Sequence, residues 1–194
     1  MTKSKGLASY LHFFWAGLVR HSQTGSFLPS QRFLIDVMIA PVPQNFTGDI
    51  VELGTGTAPL TLRLTAKCPK ARLHCCEINP VLAHDARENL ARAGVNGNVH
   101  VHTMSAQALL AEIDKKTPTQ PAFVISGLPI GNLGRPTVLE LLRASKAALA
   151  PNGMFIQAQH FLVDRKNVQA TFREVRIVPV LRNVPPVFVY YARK

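Results

Sequence analysis

The segment Val51-Glu52-Leu53-Gly54-Thr55-Gly56-Thr57-Ala58, followed by Cys75-Cys76-Glu77-Ile78-Asn79-Pro80, limits what this chain can fold into more than any other part of it. An apolar run of strand length enters a turn with two glycines. A helical stretch follows, and an acid closes the next apolar run. Glycine in such a turn permits positive φ and lets a ligand approach the backbone closely. Amides of the turn and the start of the helix favour an anionic group. Glu77 follows Gly54 by 23 positions, the spacing of an acid that bonds ribose hydroxyls. The arrangement predicts an adenosyl ligand lying across the ends of two parallel strands.

Two details choose among adenosyl ligands. The third glycine of the dinucleotide fingerprint is missing, although Ala58 is a tolerated replacement and decides little. Glu52 stands two residues before Gly54 at the end of a buried strand, where an unpaired acid is costly. Together they point to S-adenosyl-L-methionine rather than a nicotinamide. The competing reading is a glycine turn in some other α/β protein.

The rest of the chain alternates around this unit. Strands are expected at 49–53, 72–77, 98–102, 122–126 and 153–159. Helices are expected at 58–67, 80–93, about 106–113 and 136–149, with an earlier one capped by Ser30 and ending before Pro41. Alternation of this kind implies a parallel sheet with right-handed crossovers. After residue 160 it stops. Residues 170–181 and 186–192 read as a closing antiparallel pair, because Pro185-Pro186 interrupts the ladder. The expected fold is α/β: a Rossmann-like, mostly parallel seven-stranded sheet with a C-terminal antiparallel hairpin and an N-terminal amphipathic helix. One globular unit is expected, with helices at 1–40 facing a membrane or substrate and a cofactor-binding part at 41–194.

Composition narrows the class. With 194 residues, 47% hydrophobic and 17% charged, the chain supports a full core. Its three cysteines, Cys68, Cys75 and Cys76, show no metal or disulfide spacing, which fits a reduced cytoplasmic protein. No apolar run reaches the ~18 residues of a membrane span. Lys3 and Lys5 before an apolar run imitate a secretion signal, but His12, Arg20 and the lack of a small-residue cleavage site argue against one. The 22 Lys and Arg against 11 Asp and Glu give +11, which suits nucleic acid or an anionic membrane surface.

The fourth strand ends in Ser126-Gly127-Leu128-Pro129-Ile130-Gly131-Asn132, where strand ends in an open α/β sheet face the ligand crevice. Together with Thr24-Gly25-Ser26-Phe27-Leu28-Pro29-Ser30, the glycine turn and Asn183-Val184-Pro185-Pro186, this loop resembles bacterial phospholipid N-methyltransferases. These are class I methyltransferases related to ribosomal RNA adenine dimethylases. The resemblance covers nearly the whole chain and implies stepwise methyl transfer to phosphatidylethanolamine and its methylated derivatives, toward phosphatidylcholine. It implies S-adenosyl-L-methionine as donor and S-adenosyl-L-homocysteine as product. The candidate cofactor residues are Thr24, Gly25, Glu52, Gly54, Thr55, Gly56, Glu77, Ile78, Ser105, Ala106 and Ser126. Ser105 takes the place of an acid often found beside the adenine amino group. The candidate catalytic residues are Ser126, Gly127, Leu128, Pro129 and His160. Backbone oxygens of Ser126 to Leu128 would hold the amine, and Pro129 would fix the loop. His160 occupies a place where the family carries a tyrosine-bearing segment. It reads either as a base or phosphate contact, or as a polar rim residue. No metal is expected.

Residues 7–19 form an expected helix with Leu7, Tyr10, Leu11, Phe14, Trp15 and Leu18 on one face. With Lys3, Lys5 and Arg20 nearby it suits a membrane interface. Arg165, Lys166, Arg173, Arg176 and Arg182 add charge near the C-terminus. The expected partners are a phospholipid substrate and an anionic surface, with the protein peripheral to the inner membrane. Nucleic acid is the weaker partner: an adenine methyltransferase stacks its base on a ring after the proline, and here Ile130 and Gly131 follow. That rival and a soluble small-amine methyltransferase are the alternatives.

Overall fold

The computed structural model describes residues 29–95, 97–116, 119–162, 164–182 and 186–194. In chain order the elements are α1 (Pro29–Ile39), β1 (Asp49–Leu53), α2 (Pro59–Lys67), β2 (Arg72–Glu77), α3 (Pro80–Arg92), β3 (Val99–Thr103) and α4 (Ala106–Lys116). Then come β4 (Phe123–Ser126), a 3-10 turn (Ile130–Asn132), α5 (Arg135–Ala148), β5 (Met154–Gln159), α6 (Arg165–Thr171), β6 (Glu174–Val180) and β7 (Val187–Arg193). The expected N-terminal helix at 7–19, with Thr24, Gly25 and Asn183-Val184-Pro185, lies outside the described residues.

The strands form one sheet in the order β3-β2-β1-β4-β5-β7-β6. The β1–β5 strands are parallel, and β7 runs antiparallel between β5 and β6. The order reverses between β1 and β4, so the loops leaving these two strands flank the crevice where open α/β sheets bind ligands.

All five residues of β1 are buried, because helices cover both faces of the sheet. Ile50 joins Leu73, Ile125 and Ile156 under α1 and α2 through Ile35, Met38, Ile39, Leu60 and Leu64. Val51 and Leu53 join Val124 and Phe155 under α4 and α5 through Leu109, Leu110, Leu141 and Leu142. Residues 29–39 are thus built into the same core as the sheet. Tyr191 Oη donates to the Val37 carbonyl at 2.5 Å, and Lys67 Nζ to the Ile39 carbonyl at 2.8 Å.

Two expectations shift. The first described helix begins at Pro29, so Ser30 lies inside its first turn rather than ahead of it; proline is suited to that opening position. Residues read as the start of a strand at 170 instead end α6, and β6 begins at Glu174. The seven residues of α6 bury only Val168, too little for a helical period to show. Phe172 then turns inward and stacks on Phe155, with ring centroids 5.4 Å apart, which delays the hairpin.

Candidate active site

The glycine turn has the left-handed backbone that its residues permit. Gly54 (φ +79°), Gly56 (φ +58°) and Ala58 (φ +71°) alternate in positive φ. The amides of Gly54 and Thr55 both donate to the Cys76 carbonyl at 3.0 Å. This places the turn beside the end of β2, where Glu77 closes the strand. Each Glu77 carboxylate oxygen accepts one backbone bond, Oε2 from the Gly56 amide at 3.0 Å and Oε1 from the Asn79 amide at 2.9 Å. The acid therefore clamps the turn and keeps lone pairs in hand. Ile78 and Val81, next in line, are 61% and 64% exposed.

Glu52 points elsewhere. It is buried on the sheet face beneath α2, where Oε2 accepts from Thr61 Oγ1 at 2.7 Å and from the Cys75 thiol at 3.6 Å. Burial pushes its carboxyl up to about 7; the bonds from Thr61 and Cys75 act against that, and the nearby Glu77 charge adds to it. The same burial raises both neighbouring thiols, Cys76 to about 12, so these cysteines are core residues rather than nucleophiles.

The loop after β4 leans against the glycine turn. The Gly127 amide donates to the Leu53 carbonyl at 2.9 Å. A Cβ on Gly127 would lie 3.3 Å from the Gly54 carbonyl oxygen, and one on Gly54 would lie 2.7 Å from Leu128 Cδ2. Ser126 is buried, and its Oγ accepts from the Leu128 amide at 3.3 Å. Pro129 leads into the 3-10 turn, whose first residue, Ile130, is buried in the core.

The Leu128 carbonyl is already engaged: Gln157 Nε2 donates to it at 2.8 Å. Gln157 was not among the sequence candidates. Its signal was present in Phe155-Ile156-Gln157-Ala158-Gln159, where two amides alternate on a strand that is otherwise apolar. His160 is half-buried at the end of β5, with Nδ1 3.4 Å from the Pro186 carbonyl. Ser105 caps α4: its Oγ accepts from the Ala108 amide at 3.2 Å, and Ala106 is buried behind it.

The geometry brings Gly54, Thr55, Gly56, Glu77, Ser126, Gly127 and Leu128 to one switch point of a seven-stranded sheet. That strand order, with its reversed β7, defines a class I S-adenosyl-L-methionine-dependent methyltransferase. Residues 30–182 match the model of the methyltransferase small domain, and the chain belongs to that family. It is 30% identical over 170 residues, 87% of each chain, to the ornithine lipid N-methyltransferase of Singulisphaera acidiphila. Among solved structures, precorrin-6y C5,15-methyltransferase from Geobacter metallireducens superposes with a TM-score of 0.66 at 16% identity, covering 86% of this chain and 91% of that one. A precorrin 8w decarboxylase from Methanobacterium thermoautotrophicum gives 0.64 at 21% identity, with coverage of 86% and 91%. These two likenesses establish the fold. S-Adenosyl-L-methionine is the methyl donor.

Proposed function

We propose that the protein transfers methyl groups to the amine of a membrane lipid, either phosphatidylethanolamine and its methylated derivatives or an amino-acid lipid such as ornithine lipid. The observation that carries this reading is the β4 loop. Ile130 follows Pro129 and is sealed in the core, so it presents no ring on which a nucleobase could stack. At the same end of the sheet Phe161 is 70% and Leu162 39% exposed, and the exposed Arg165 and Lys166 follow. Apolar side chains beside cations suit a lipid surface. The 30% identical relative is named for a lipid substrate, which agrees.

The residues fit the donor. Glu77 has acceptor capacity left for ribose hydroxyls. Ile78 and Val81 offer apolar surface to a purine, and the left-handed turn at Gly54 and Gly56 leaves room for close backbone approach. When bound, S-adenosyl-L-methionine supplies a methyl group on a positively charged sulfur. The chain's own part is orientation. Gly127 and Leu128 sit against the glycine turn and set the approach of the acceptor amine, which needs a free lone pair and so must first shed a proton. Ser105 adds a hydroxyl on the adenine side. The segment containing Thr24 and Gly25, and the aromatic face at Tyr10, Phe14 and Trp15, would complete the site and hold it peripherally at the cytoplasmic membrane face.

The test is methyl transfer from labelled S-adenosyl-L-methionine to vesicles that contain each lipid, with the extracted lipids separated. Label in an amino lipid supports the reading. Label in neither lipid, with S-adenosyl-L-methionine binding intact, overturns it.

A further inference from the structure

Below the 3-10 turn lies a group of buried polar side chains, one of which, Gln157, also bonds the β4 loop. Gln157 and Gln159 alternate on β5 and so share a face. Tyr190 is the cross-strand partner of Gln157. Asp164, just before α6, is close enough for its charge to help raise the Tyr190 hydroxyl to about 12, after burial as the main cause. All four residues are more than nine-tenths buried. Six buried side-chain polar atoms lack a hydrogen-bond partner among the described residues, and four belong here: Gln157 Oε1, Gln159 Nε2, Asp164 Oδ2 and Tyr190 Oη.

An unpaired buried polar atom is destabilising, so four in one place call for a polar occupant. The character of that occupant follows from the set. Asp164 has a neutral neighbour, Asn167 Nδ2, on Oδ1 at 3.2 Å and no partner on Oδ2. Gln157 offers an amide oxygen and Tyr190 a hydroxyl. A buried carboxylate with unused acceptor capacity is stabilised by a cation, and an ammonium brings three donors and no acceptor, which suits Asp164 Oδ2, Gln157 Oε1 and Tyr190 Oη and leaves the Gln159 Nε2 donor to an acceptor oxygen of the same ligand.

Access and registration also fit. Gly131 is exposed, and a Cβ there would lie 3.7 Å from Gln159 Oε1 and 3.9 Å from Asp164 Oδ2. Gly131 therefore places no side chain over these two residues, whose unpaired atoms are closed to solvent in this structure. Gln157, through its bond to the Leu128 carbonyl, ties the group to the loop that leans on the cofactor turn.

We propose that Gln157, Gln159, Asp164 and Tyr190 form the subsite for the acceptor's ammonium head group, with Asp164 Oδ2 as its charged recognition point. This rests on the reading that the acceptor is a lipid amine. The head group enters past Gly131 as the ammonium, Asp164 selects a cationic nitrogen over a hydroxyl, and one N–H proton then passes to the Asp164 carboxylate, which leaves the nitrogen lone pair free to attack the methyl group.

The experiment is calorimetric titration of the S-adenosyl-L-homocysteine-loaded full chain with glycerophosphoethanolamine, a head group without acyl chains. Asp164→Asn is expected to weaken that binding by about tenfold or more, with S-adenosyl-L-homocysteine affinity unchanged within about twofold. Gly131→Ala leaves every polar group in place but puts a methyl in the entrance, and is expected to weaken head-group binding in the same selective way. It also covers the case in which Asp164→Asn does not fold. Wild-type binding that both variants preserve, or no wild-type binding at all, overturns the subsite. The lipid reading is judged separately, by vesicle turnover. If wild type methylates a lipid and Asp164→Asn keeps its KM for that lipid, the subsite falls and the reading stands. If the head group binds through Asp164 and neither lipid gains methyl, the reading falls and the subsite stands.

Discussion

At Gly54 a positive φ and a crowded neighbour coincide. A side chain there would be strained by φ +79° and would bring its Cβ to 2.7 Å from Leu128 Cδ2. Gly54→Val is therefore expected to displace both the turn and the β4 loop and to abolish S-adenosyl-L-methionine binding by calorimetry. Gly94, with φ +70° but nothing within 4 Å of an added Cβ, is the control: Gly94→Ala should cost about 1 kcal/mol of stability and leave cofactor affinity unchanged. Glu52 makes a different prediction. Its carboxyl is raised from an ordinary 4.5 to about 7 by burial, so the folded chain keeps a proton that the unfolded chain releases. Stability then falls as pH rises between these values and levels off above. The melting temperature of wild type, measured against Glu52→Gln, should drop between about pH 5 and about pH 8. Parallel curves for the two proteins would show that Glu52 is already charged when buried. The presence of Glu52 was plain in the sequence, but its direction was not. A strand end can face the crevice or the sheet, and only the pairing with Thr61 and Cys75 decides.

At the scale of elements, the β4 loop is held from two sides, by the Leu53 carbonyl through Gly127 and by Gln157 from β5. Gln157→Leu keeps the side-chain bulk and removes the bond to the Leu128 carbonyl. Turnover should fall by about tenfold, while S-adenosyl-L-methionine affinity changes by less than about twofold. Equal losses in both would mean that the substitution had disturbed the sheet rather than the loop. The strands β1, β2, β4 and β5 were legible as short, mostly apolar runs between turn residues, β3 by the alternation of Val99 and Val101 with His100 and His102, and α3 because Asn79 and Pro80 mark its start: the Asn79 side chain accepts from the Val81 amide at 2.9 Å. The α6 helix was not legible, since one buried valine carries no period. Gln157, Gln159, Asp164 and Tyr190 were missed for another reason. They converge from β5, β7 and the approach to α6, so no spacing along the chain connects them.

Over the whole molecule, the proposed function has the switch point between β1 and β4 divide two tasks. The donor side lies over β1 and β2, where Glu77 and the glycine turn are bonded to each other. On the proposed reading the acceptor side lies over β4, β5 and β7, where polar groups are buried beneath an exposed apolar and basic rim. Among the described residues no helix is long and apolar enough to cross a membrane. On the proposed reading the +11 charge would favour an anionic lipid surface. The central claim is that the methyl group goes to a lipid amine. The most direct test offers one sample of the full chain labelled S-adenosyl-L-methionine together with amino-lipid vesicles, ribosomal RNA and a soluble primary amine, and then separates the three acceptors. Label is expected in the lipid fraction, as N-methylated head groups. Label confined to the RNA or to the soluble amine would contradict it.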